Sequence, residues 1–424
     1  MLLAACGGGG GVATGAGGQV GGGVFLGQAM QVGEFSYYRD GSTSNPVSYL
    51  YAHDVDGDGL DEVFMIAFET QPNTPAGYSN TSVHVFGWEA GVFKEITAKW
   101  LPGNTNLIEG SGDLAFGDFN GDGKTDVFLS AYTDMDYPVN AYALMNIGGS
   151  FNRVNLGSES WQHGVSVADV NGDGFDDVIV AGYSNFPQYV GSANGLTPYR
   201  TMVGSSGVAV GDFLGNGAKQ AIFVDAGTGS DDTFLYSIQT ATSTSNFYFT
   251  KIATLPGPVL VDSHDIRARA VDFDRDGQLD VVVFSYRFNL QSETERRSSI
   301  QFLKNIGGGQ FTDVTSTVLV GYDNTAGMGY APVFRDFNGD GRLDLFVSAP
   351  DWFNSKQHKS TTLLLQQDDG KFKQSFKGEL SSAIDSGGGQ AVLAKGPQNR
   401  FYLVKESAWL RDGLTRVFVQ ALQF

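Results

Sequence analysis

One short acidic pattern occurs five times in the chain and is the feature best suited to chemistry. Each copy carries a carboxylate or amide side chain at positions 1, 3 and 5, a glycine at position 6 and a carboxylate at position 9. Oxygen donors at alternating positions around a tight glycine turn suit a hard cation with six to eight oxygen ligands, which indicates calcium. The copies occupy residues 54–62, 118–126, 169–177, 272–280 and 336–344.

The residues that follow each copy exclude the helical type of calcium loop. That type needs a bidentate glutamate at position 12 and continues as a helix. Position 12 is apolar in every copy here, and the downstream runs, such as 127–132 and 281–286, are β-branched and aromatic. Such runs indicate buried strands. Each loop therefore joins two strands, and five copies in register argue against simple solvated Asp-Gly turns.

The strand pattern around the loops predicts a β-propeller. One strand enters each loop, an apolar strand leaves it, and a third strand is followed by a turn and a Gly-x-Phe strand. Four antiparallel strands per repeat are typical of propeller blades. The Gly-x-Phe strands contain Phe93, Phe151, Phe311 and Phe372. A sixth copy at 212–220 keeps the glycine turn but has no Asp at positions 5 and 9, so we expect no ion there.

The last repeat predicts how the ring closes. This repeat lies within residues 391–422, has lost the acidic pattern and ends after its third strand. Residues 33–38 match the Gly-x-Phe pattern of a fourth strand. We expect the N-terminal strand to complete the last blade, because ring closure removes exposed sheet edges. The sequence thus predicts an all-β fold, a seven-bladed propeller of four-stranded antiparallel blades that spans residues 28–424.

The N-terminal residues differ in composition from the rest. Residues 3–6 resemble a bacterial lipobox, in which the cysteine, here Cys6, is lipidated; a chance run of small residues is the alternative. Since two residues precede the box, we expect that the start of the signal is missing from residues 1–6. Residues 7–27 are glycine-rich and predict a flexible tether. These features predict a lipid-anchored protein of the bacterial cell envelope, at the outer membrane, cell surface or periplasm.

The charge and composition of the chain limit the classes of partner that we expect. The net charge of −19 and the lack of a basic run argue against nucleic acid. No apolar run is long enough to span a bilayer, so we expect membrane contact through the lipid anchor only, and a monomer. The chain has one cysteine and no Gly-x-Ser-x-Gly motif, and its five histidines lack zinc-ligand spacing.

The acidic loops, with phrases such as 115–117 before one copy and 348–350 after another, resemble the FG-GAP/VCBS-type repeats of integrin α-subunit propellers and bacterial surface proteins. The resemblance implies about five structural calcium ions on one propeller face, bound by the side chains at positions 1, 3, 5 and 9 and the backbone carbonyl at position 7. It also implies that ligands meet the opposite face. Blade 1 departs from the pattern, with Glu62 at position 9 beside Asp61. The implied calcium ligands are Asp54, Asp56, Asp58, Leu60, Glu62, Asp118, Asn120, Asp122, Lys124, Asp126, Asp169, Asn171, Asp173, Phe175, Asp177, Asp272, Asp274, Asp276, Gln278, Asp280, Asp336, Asn338, Asp340, Arg342 and Asp344.

Two groups of side chains are expected on the opposite face. The first could stack on sugar rings or simply pack at strand ends, and consists of Phe68, Tyr132, Tyr183, Tyr286 and Pro350. The second could hold a sulfated or uronic-acid polysaccharide, or form ordinary rim salt bridges. Its members are Trp161, His163, His264, Arg267, Arg269, Tyr286 and Arg287.

These features favour a calcium-binding module that adheres to an extracellular protein or polysaccharide. The alternative is a polysaccharide lyase or hydrolase, in which His264 or Tyr286 abstracts the proton beside a uronate carboxylate that Arg267 neutralises. A structural role in an envelope assembly is the third hypothesis.

Overall fold

The structure is a computed structural model that describes fifteen segments of the chain. They comprise residues 24–36, 49–68, 81–132, 139–159, 162–182, 186–201, 203–225, 232–240, 247–259, 264–287, 297–322, 330–348, 362–377, 390–407 and 414–424. Within these segments, no helix has both the length and the apolar character needed to cross a bilayer.

The described residues form seven antiparallel sheets arranged as the blades of a propeller. The chain begins with β1 (Val24–Ser36). Blade 1 then contains β2 (Tyr49–His53), β3 (Glu62–Phe68), β4 (Thr81–Glu89), β5 (Val92–Glu95) and the added β6 (Leu107–Ile108). Blade 2 contains β7 (Leu114–Gly117), β8 (Asp126–Leu129), β9 (Val139–Asn146) and β10 (Phe151–Glu159). Blade 3 contains β11 (Gln162–Ala168), β12 (Asp177–Gly182), β13 (Phe186–Val190) and β14 (Thr197–Thr201).

The remaining blades repeat the same order of strands. Blade 4 contains β15 (Gly207–Gly211), β16 (Gln220–Val224), β17 (Phe234–Thr240) and β18 (Phe247–Thr254). Blade 5 contains β19 (His264–Val271), β20 (Asp280–Arg287), β21 (Arg297–Asn305) and β22 (Phe311–Asp313). Blade 6 contains β24 (Tyr330–Arg335), β25 (Asp344–Ser348), β26 (Thr362–Gln366) and β27 (Phe372–Lys377), and β23 (Leu319–Val320) pairs with β27 in parallel. Blade 7 contains β28 (Ala391–Gly396), β29 (Arg400–Ser407), β30 (Leu414–Gln423) and β1.

The seven-bladed, all-β prediction is confirmed, and so is the closure of the ring. β1 pairs antiparallel with β30, from Val24 opposite Gln423 to Ser36 opposite Leu414, with two register shifts. The strand is longer than the sequence pattern indicated, because it begins at Val24 within the glycine-rich residues that were expected to be a tether up to residue 27.

The hydrophobic core is divided among the seams between blades. Successive side chains of a strand point to opposite faces of the sheet. On β3, Phe64 packs in the cluster that joins blade 1 to blade 2, whereas Val63 packs in the cluster that joins blade 1 to blade 7. Both side chains are fully buried. Each such side chain contributes roughly 1.5–3 kcal/mol on burial, which explains why the strands that leave the loops are apolar on both faces.

Three one-turn helices occur within the described segments. They are α1 (Thr97–Trp100), α2 (Thr315–Val318) and a 3-10 helix (Pro397–Asn399). α1 follows the last strand of blade 1 and carries Trp100, whose ring is fully buried and packs 5.1 Å from Phe151 of blade 2. α1 therefore adds an aromatic wedge to the first seam.

Candidate metal centres and the axial cavity

The position-1 carboxylate organises each acidic loop. In blade 1, Oδ2 of Asp54 accepts a hydrogen bond from Gly59 N at 2.9 Å, and in blade 6 Oδ2 of Asp336 accepts one from Gly341 N at 2.8 Å. Both glycines lie at positive φ, 86° and 83°, where a side chain would strain the backbone. The position-6 glycine therefore turns the chain so that its N–H faces the first carboxylate. The same bond forms from Gly123, Gly174 and Gly277.

Side chains in the loops approach closely enough to share a cation. In blade 1, carboxylate oxygens of Asp54, Asp56 and Glu62 lie within 4.8 Å of one another, and in blade 5 the same holds for Asp272, Asp274 and Asp276. Like charges at such distances repel unless a cation offsets them. The donors are all oxygen atoms, which fits a hard cation. These acidic clusters could therefore bind a metal ion.

The position-9 carboxylates also form hydrogen bonds that connect separate strands, a role that the sequence did not indicate. Asp126 of blade 2 is fully buried. Its Oδ2 accepts a hydrogen bond from the backbone N–H of Phe119 at 3.1 Å, and its Oδ1 accepts one from that of Asn146 at 2.7 Å. The carboxylate thus ties the start of its loop to the end of the third strand. Asp177, Asp280 and Asp344 make the matching pairs of bonds.

Burial also changes the acidity of these groups. Removal from water raises the pKa of Asp126 to about 6 and that of Glu62 to about 8, against the lowering effect of the backbone hydrogen bonds. The negative charges of neighbouring loop carboxylates contribute to both raised pKa values. The pKa values of Asp177, Asp280 and Asp344 are raised to about 7 for the same reasons. A bound divalent cation would favour the ionised form of all five groups.

In blades 2, 5 and 6, the side chain at the end of the third strand contacts the loop of the preceding blade. Asn146 donates through Nδ2 to the carbonyl of Val55 in the loop of blade 1, at 2.9 Å. Asn305 of blade 5 donates in the same way to the carbonyl of Phe213 in blade 4, at 2.8 Å. Gln366 of blade 6 reaches the corresponding carbonyl of blade 5. Loop geometry and blade-to-blade contact are therefore coupled on this face.

The decayed loop of blade 4 closes without a carboxylate at position 9. Gln220 takes that place: its Oε1 accepts a hydrogen bond from Leu214 N at 3.0 Å, and its Nε2 donates to the carbonyl of Ala218 at 2.7 Å. Ala218 occupies position 7, whose carbonyl is an implied calcium ligand in the intact loops. The amide group of Gln220 therefore satisfies, within the chain, an acceptor whose counterparts in the intact loops are implied cation ligands.

Blade 1 departs from the pattern with Glu62 at position 9 beside Asp61, and the structure gives these two acids different roles. Asp61 is buried and forms an ion pair with Arg335 of blade 6, with Nη1 and Oδ2 2.5 Å apart. The same oxygen accepts a hydrogen bond from Lys395 N of blade 7 at 2.6 Å. Asp61 therefore links three blades, while Glu62 takes the position-9 role by accepting a bond from Val55 N at 3.2 Å.

On the opposite face, the described side chains are engaged within the protein. Arg267 is buried, with Nε 3.8 Å from Oδ2 of Asp113, and that carboxylate also accepts a hydrogen bond from the Tyr51 hydroxyl at 2.6 Å. Burial, together with the nearby Arg267 charge, lowers the pKa of His163 to about 3, so the ring is neutral. Tyr132 packs edge-on against that ring at 4.9 Å. Sequence reasoning missed Tyr51 and Asp113, because no motif surrounds them.

Several predicted residues fall outside the described part of the chain. The structure gives only the backbone of His264, Tyr286, Arg287 and Phe68 within their strands, and in the β19–β20 pair His264 lies opposite Tyr286. Cys6, Trp161, Tyr183 and Pro350 lie wholly outside it.

A cavity of about 630 Å³ lies among the innermost strands of the propeller, at its axis. Its walls come from the first strands of six blades, β2, β7, β11, β19, β24 and β28. Arg269 of β19 projects into it, half-buried, and its Nη1 donates to the neighbouring carbonyl of Ala268 at 3.1 Å. Within the described part of the chain Arg269 makes no ion pair, in contrast to Arg335, which also lines the cavity and is paired with Asp61.

The fold and its acidic loops define a seven-bladed β-propeller with repeated candidate cation sites on one face. The FG-GAP-like repeat family matches the chain over residues 54–129, 118–180 and 272–347. The protein is thus an FG-GAP repeat propeller, as the sequence resemblance predicted. No curated protein sequence matches the chain.

Solved structures resemble the chain at low sequence identity. An alpha-L-arabinanase of Penicillium chrysogenum complexed with arabinobiose is 12% identical, with a TM-score of 0.47 over 94% of this chain and 98% of that chain. A protein from Lactobacillus plantarum is 14% identical, with a TM-score of 0.45 over 82% and 95%. The NanB sialidase of Streptococcus pneumoniae is 12% identical, with a TM-score of 0.37 over 94% and 70%. Likenesses this weak support no conclusion about ligand or activity.

Proposed function

We propose that the protein is a calcium-stabilised binding module that holds a protein or polysaccharide ligand outside the cytoplasm. The observation that carries the calcium proposal is the shared loop geometry, in which a position-1 carboxylate anchors the glycine turn and a buried position-9 carboxylate ties the loop to the third strand. Calcium would be held by the side chains at positions 1, 3, 5 and 9 and by the carbonyl at position 7. It would supply positive charge and no chemical step.

Calcium fits these loops better than a transition metal. The candidate ligands are carboxylate, amide and carbonyl oxygens, which hard cations prefer, whereas zinc and copper sites use histidine or thiolate. Because each loop also contacts the neighbouring blade, as Asn146 does with Val55, an ion that orders a loop also stabilises a seam. The ions are therefore structural in this proposal.

A matched pair of variants tests the calcium proposal. Asp336→Ala removes the position-1 carboxylate of an intact loop, and Asp212→Ala removes that of the decayed loop. Native mass spectrometry should find several calcium ions on the full chain, one fewer in Asp336→Ala and an unchanged number in Asp212→Ala. Chelation should lower the Tm, because calcium binds the folded state. A chain without bound calcium, or a Tm indifferent to chelation, would overturn the proposal.

For the ligand, the axial cavity is the best-supported site. Its volume of about 630 Å³ falls within the range of small-ligand sites, roughly 300–1,000 Å³. Arg269 offers its wall a guanidinium that no described carboxylate neutralises, in a chain of net charge −19. Guanidinium groups bind carboxylate and sulfate well. We therefore favour an acidic ligand, either a uronic-acid or sulfated polysaccharide or an acidic segment of a protein.

The binding proposal is tested on the full chain with Cys6→Ser, in calcium, against acidic and neutral polysaccharides. Selective retention of acidic chains is expected, with at least a tenfold loss of affinity in Arg269→Gln and no change in Lys373→Gln, an exposed cation on the outer strand of blade 6. Equal retention by Arg269→Gln would overturn the cavity as the site. If no polysaccharide retains the protein, an acidic segment of a protein is the ligand to test next.

An enzyme remains the second candidate, and one observation favours it. The register of β19 and β20 places His264 opposite Tyr286, so two of the three expected catalytic residues are neighbours. Arg267, the third, is held in the buried pair with Asp113. New reducing ends or unsaturated products in the same polysaccharide assay would establish cleavage, and their absence at high enzyme concentration would dismiss it.

Anchoring in the bacterial envelope through a lipid on Cys6 completes the proposal. The mass of the protein recovered from a bacterial membrane fraction is expected to show diacylglycerol on this cysteine. A membrane-associated Cys6→Ser variant would contradict the anchor.

A further inference from the structure

The acidic loop of blade 5 already contains a cation that belongs to the chain. Lys304 lies near the end of β21, and its Nζ contacts Oδ2 of Asp274 and Oδ2 of Asp276, the latter at 3.0 Å. The other oxygen of each carboxylate is occupied by a backbone N–H of the loop, from Asp276 and Gln278 respectively. Lys304 therefore contacts the two oxygens of positions 3 and 5 that no backbone N–H of the loop occupies.

The contact rests on a residue specific to this blade. Leu303 pairs with Val281, the residue directly after the loop, and Lys304 is the next residue of the third strand. In blade 2 the equivalent pair is Leu144 and Val127, and the next residue is Met145. The corresponding residues of blades 1, 3 and 6 are Gly87, Val190 and Leu365. A basic residue at this position thus distinguishes the loop of blade 5 from the four other intact loops.

Two further departures in the same loop accompany the lysine. Position 3 is Asp274, where blades 2, 3 and 6 have asparagine, so the loop carries an added negative charge. Position 4 is Arg275, at φ 62°, where the other intact loops have glycine. The loop of blade 5 therefore has an acidic residue at position 3 and a basic residue at position 4, where the loops of blades 2, 3 and 6 have asparagine and glycine.

Other basic residues near the loops reach less far. Lys124 contacts one loop carboxylate, Asp122, and Lys99 lies 3.7 Å from Asp56. Arg342 contacts Asp340 and then Asp368, which lies outside its loop. Lys304 bridges positions 3 and 5, which are adjacent ligands of the ion in the calcium proposal.

We propose that the Lys304 ammonium is a tethered cation that replaces calcium in the loop of blade 5, so that the protein holds four calcium ions and not five. The inference rests on the proposed calcium binding of the other intact loops. A divalent ion between Asp274 and Asp276 would have to displace the ammonium and would then lie close to its positive charge. This loop thereby keeps its shape, and Asn305 N keeps its hydrogen bond to the Asp280 carboxylate, at any calcium concentration.

The number of bound ions tests the proposal directly. Native mass spectrometry of the full chain in saturating calcium should give four ions, and Lys304→Met, which copies Met145 of blade 2, should give five. Asp274→Asn with Lys304→Met reproduces both residues of blade 2 and should also give five. Lys373→Met removes an exposed lysine elsewhere and should leave four.

A thermal measurement supplies a second, independent readout. In chelator, Lys304→Met should melt below the wild type, because Asp274 and Asp276 then repel each other. Calcium should raise the Tm of Lys304→Met by more than it raises that of the exposed control, Lys373→Met. Five ions on the wild type, or four on both the wild type and Lys304→Met, would overturn the inference while leaving calcium binding intact. No ions on any variant would remove the proposed function and this inference together.

Discussion

Arg335 of blade 6 and Asp61 of blade 1 form an ion pair across the closing seam of the ring, although 274 residues separate them in sequence. The Asp61 side chain is 2% exposed and the Arg335 side chain 35%. Because Lys395 N of blade 7 donates to the same carboxylate, one side chain joins the last two blades to the first. Ring closure thus has a polar lock between blades in addition to the pairing of β1 with β30 within blade 7.

Removal of that carboxylate should weaken the whole ring. Asp61→Ala leaves Arg335 and the N–H of Lys395 without their acceptor, and we expect a loss of about 2–4 kcal/mol in the free energy of unfolding, since one partner remains partly solvated. Chemical denaturation in calcium measures it. The control is Glu34→Gln, which breaks the exposed pair between Glu34 and Arg416 and should cost less than about 1 kcal/mol. Equal losses in the two variants would contradict the lock.

The stability of the metal-free protein should fall as pH rises. Burial raises the pKa of the position-9 acids, to about 7 for Asp177 and about 8 for Glu62. An acid with a higher pKa in the folded than in the unfolded chain binds more protons when folded, so its stabilising contribution is present at low pH and is lost as the pH rises through the folded pKa. Calorimetry in chelator should therefore show a Tm that decreases from about pH 5 to about pH 8. With calcium the decrease should vanish, and parallel curves in the two conditions would refute the prediction.

The side-chain amide of Asn305 should contribute more to stability than is usual for a residue at the end of a strand. Asn305→Ala leaves the buried carbonyl of Phe213 and the partly buried carbonyl of Leu279 without this donor. We expect a loss of about 2–3 kcal/mol, measured by urea unfolding. Asn194→Ala, at an exposed turn, should stay within about 0.5 kcal/mol of the wild type. A loss in Asn305→Ala as small as in this control would show that the bond to blade 4 contributes little.

Gln220 should stabilise its loop without calcium. Gln220→Ala removes the bonds to Leu214 N and the Ala218 carbonyl, with an expected loss of about 1–3 kcal/mol. The loss should be the same in calcium and in chelator. Asp344→Ala is the corresponding change in an intact loop. Its loss of stability should be larger in calcium than in chelator, because it also weakens calcium binding. A calcium-dependent loss in Gln220→Ala would indicate an ion in the loop of blade 4.

Sequence reasoning reached the fold because its signals are local. The glycine turn, the apolar strand after it and the Gly-x-Phe strand each fall within a few residues, and their repetition fixed the number of blades. The contact of Asn305 with Phe213 gave no such signal, since it joins residues 92 positions apart in different blades.

The ligand face was harder to predict for a related reason. Arg267 and His163 were expected as part of a cationic surface, but the structure buries Arg267 beside Asp113 and keeps His163 neutral. The sequence shows which residues carry a charge. Whether a charged side chain is exposed to solvent depends on the direction in which it leaves the strand. Arg269 lies two residues after Arg267 on β19, so the strand alternation alone places both side chains on the same face. Arg269 nevertheless lines the axial cavity.

The pairing of β1 with β30 also sets an order of events during synthesis. Six blades are built from contiguous stretches and can form as each stretch leaves the ribosome, whereas blade 7 needs the first and last described strands together. β1 therefore waits unpaired until β30 has been made, and such distant contacts form slowly. The slowest step in the folding of this protein should be the arrival of its last strand beside its first.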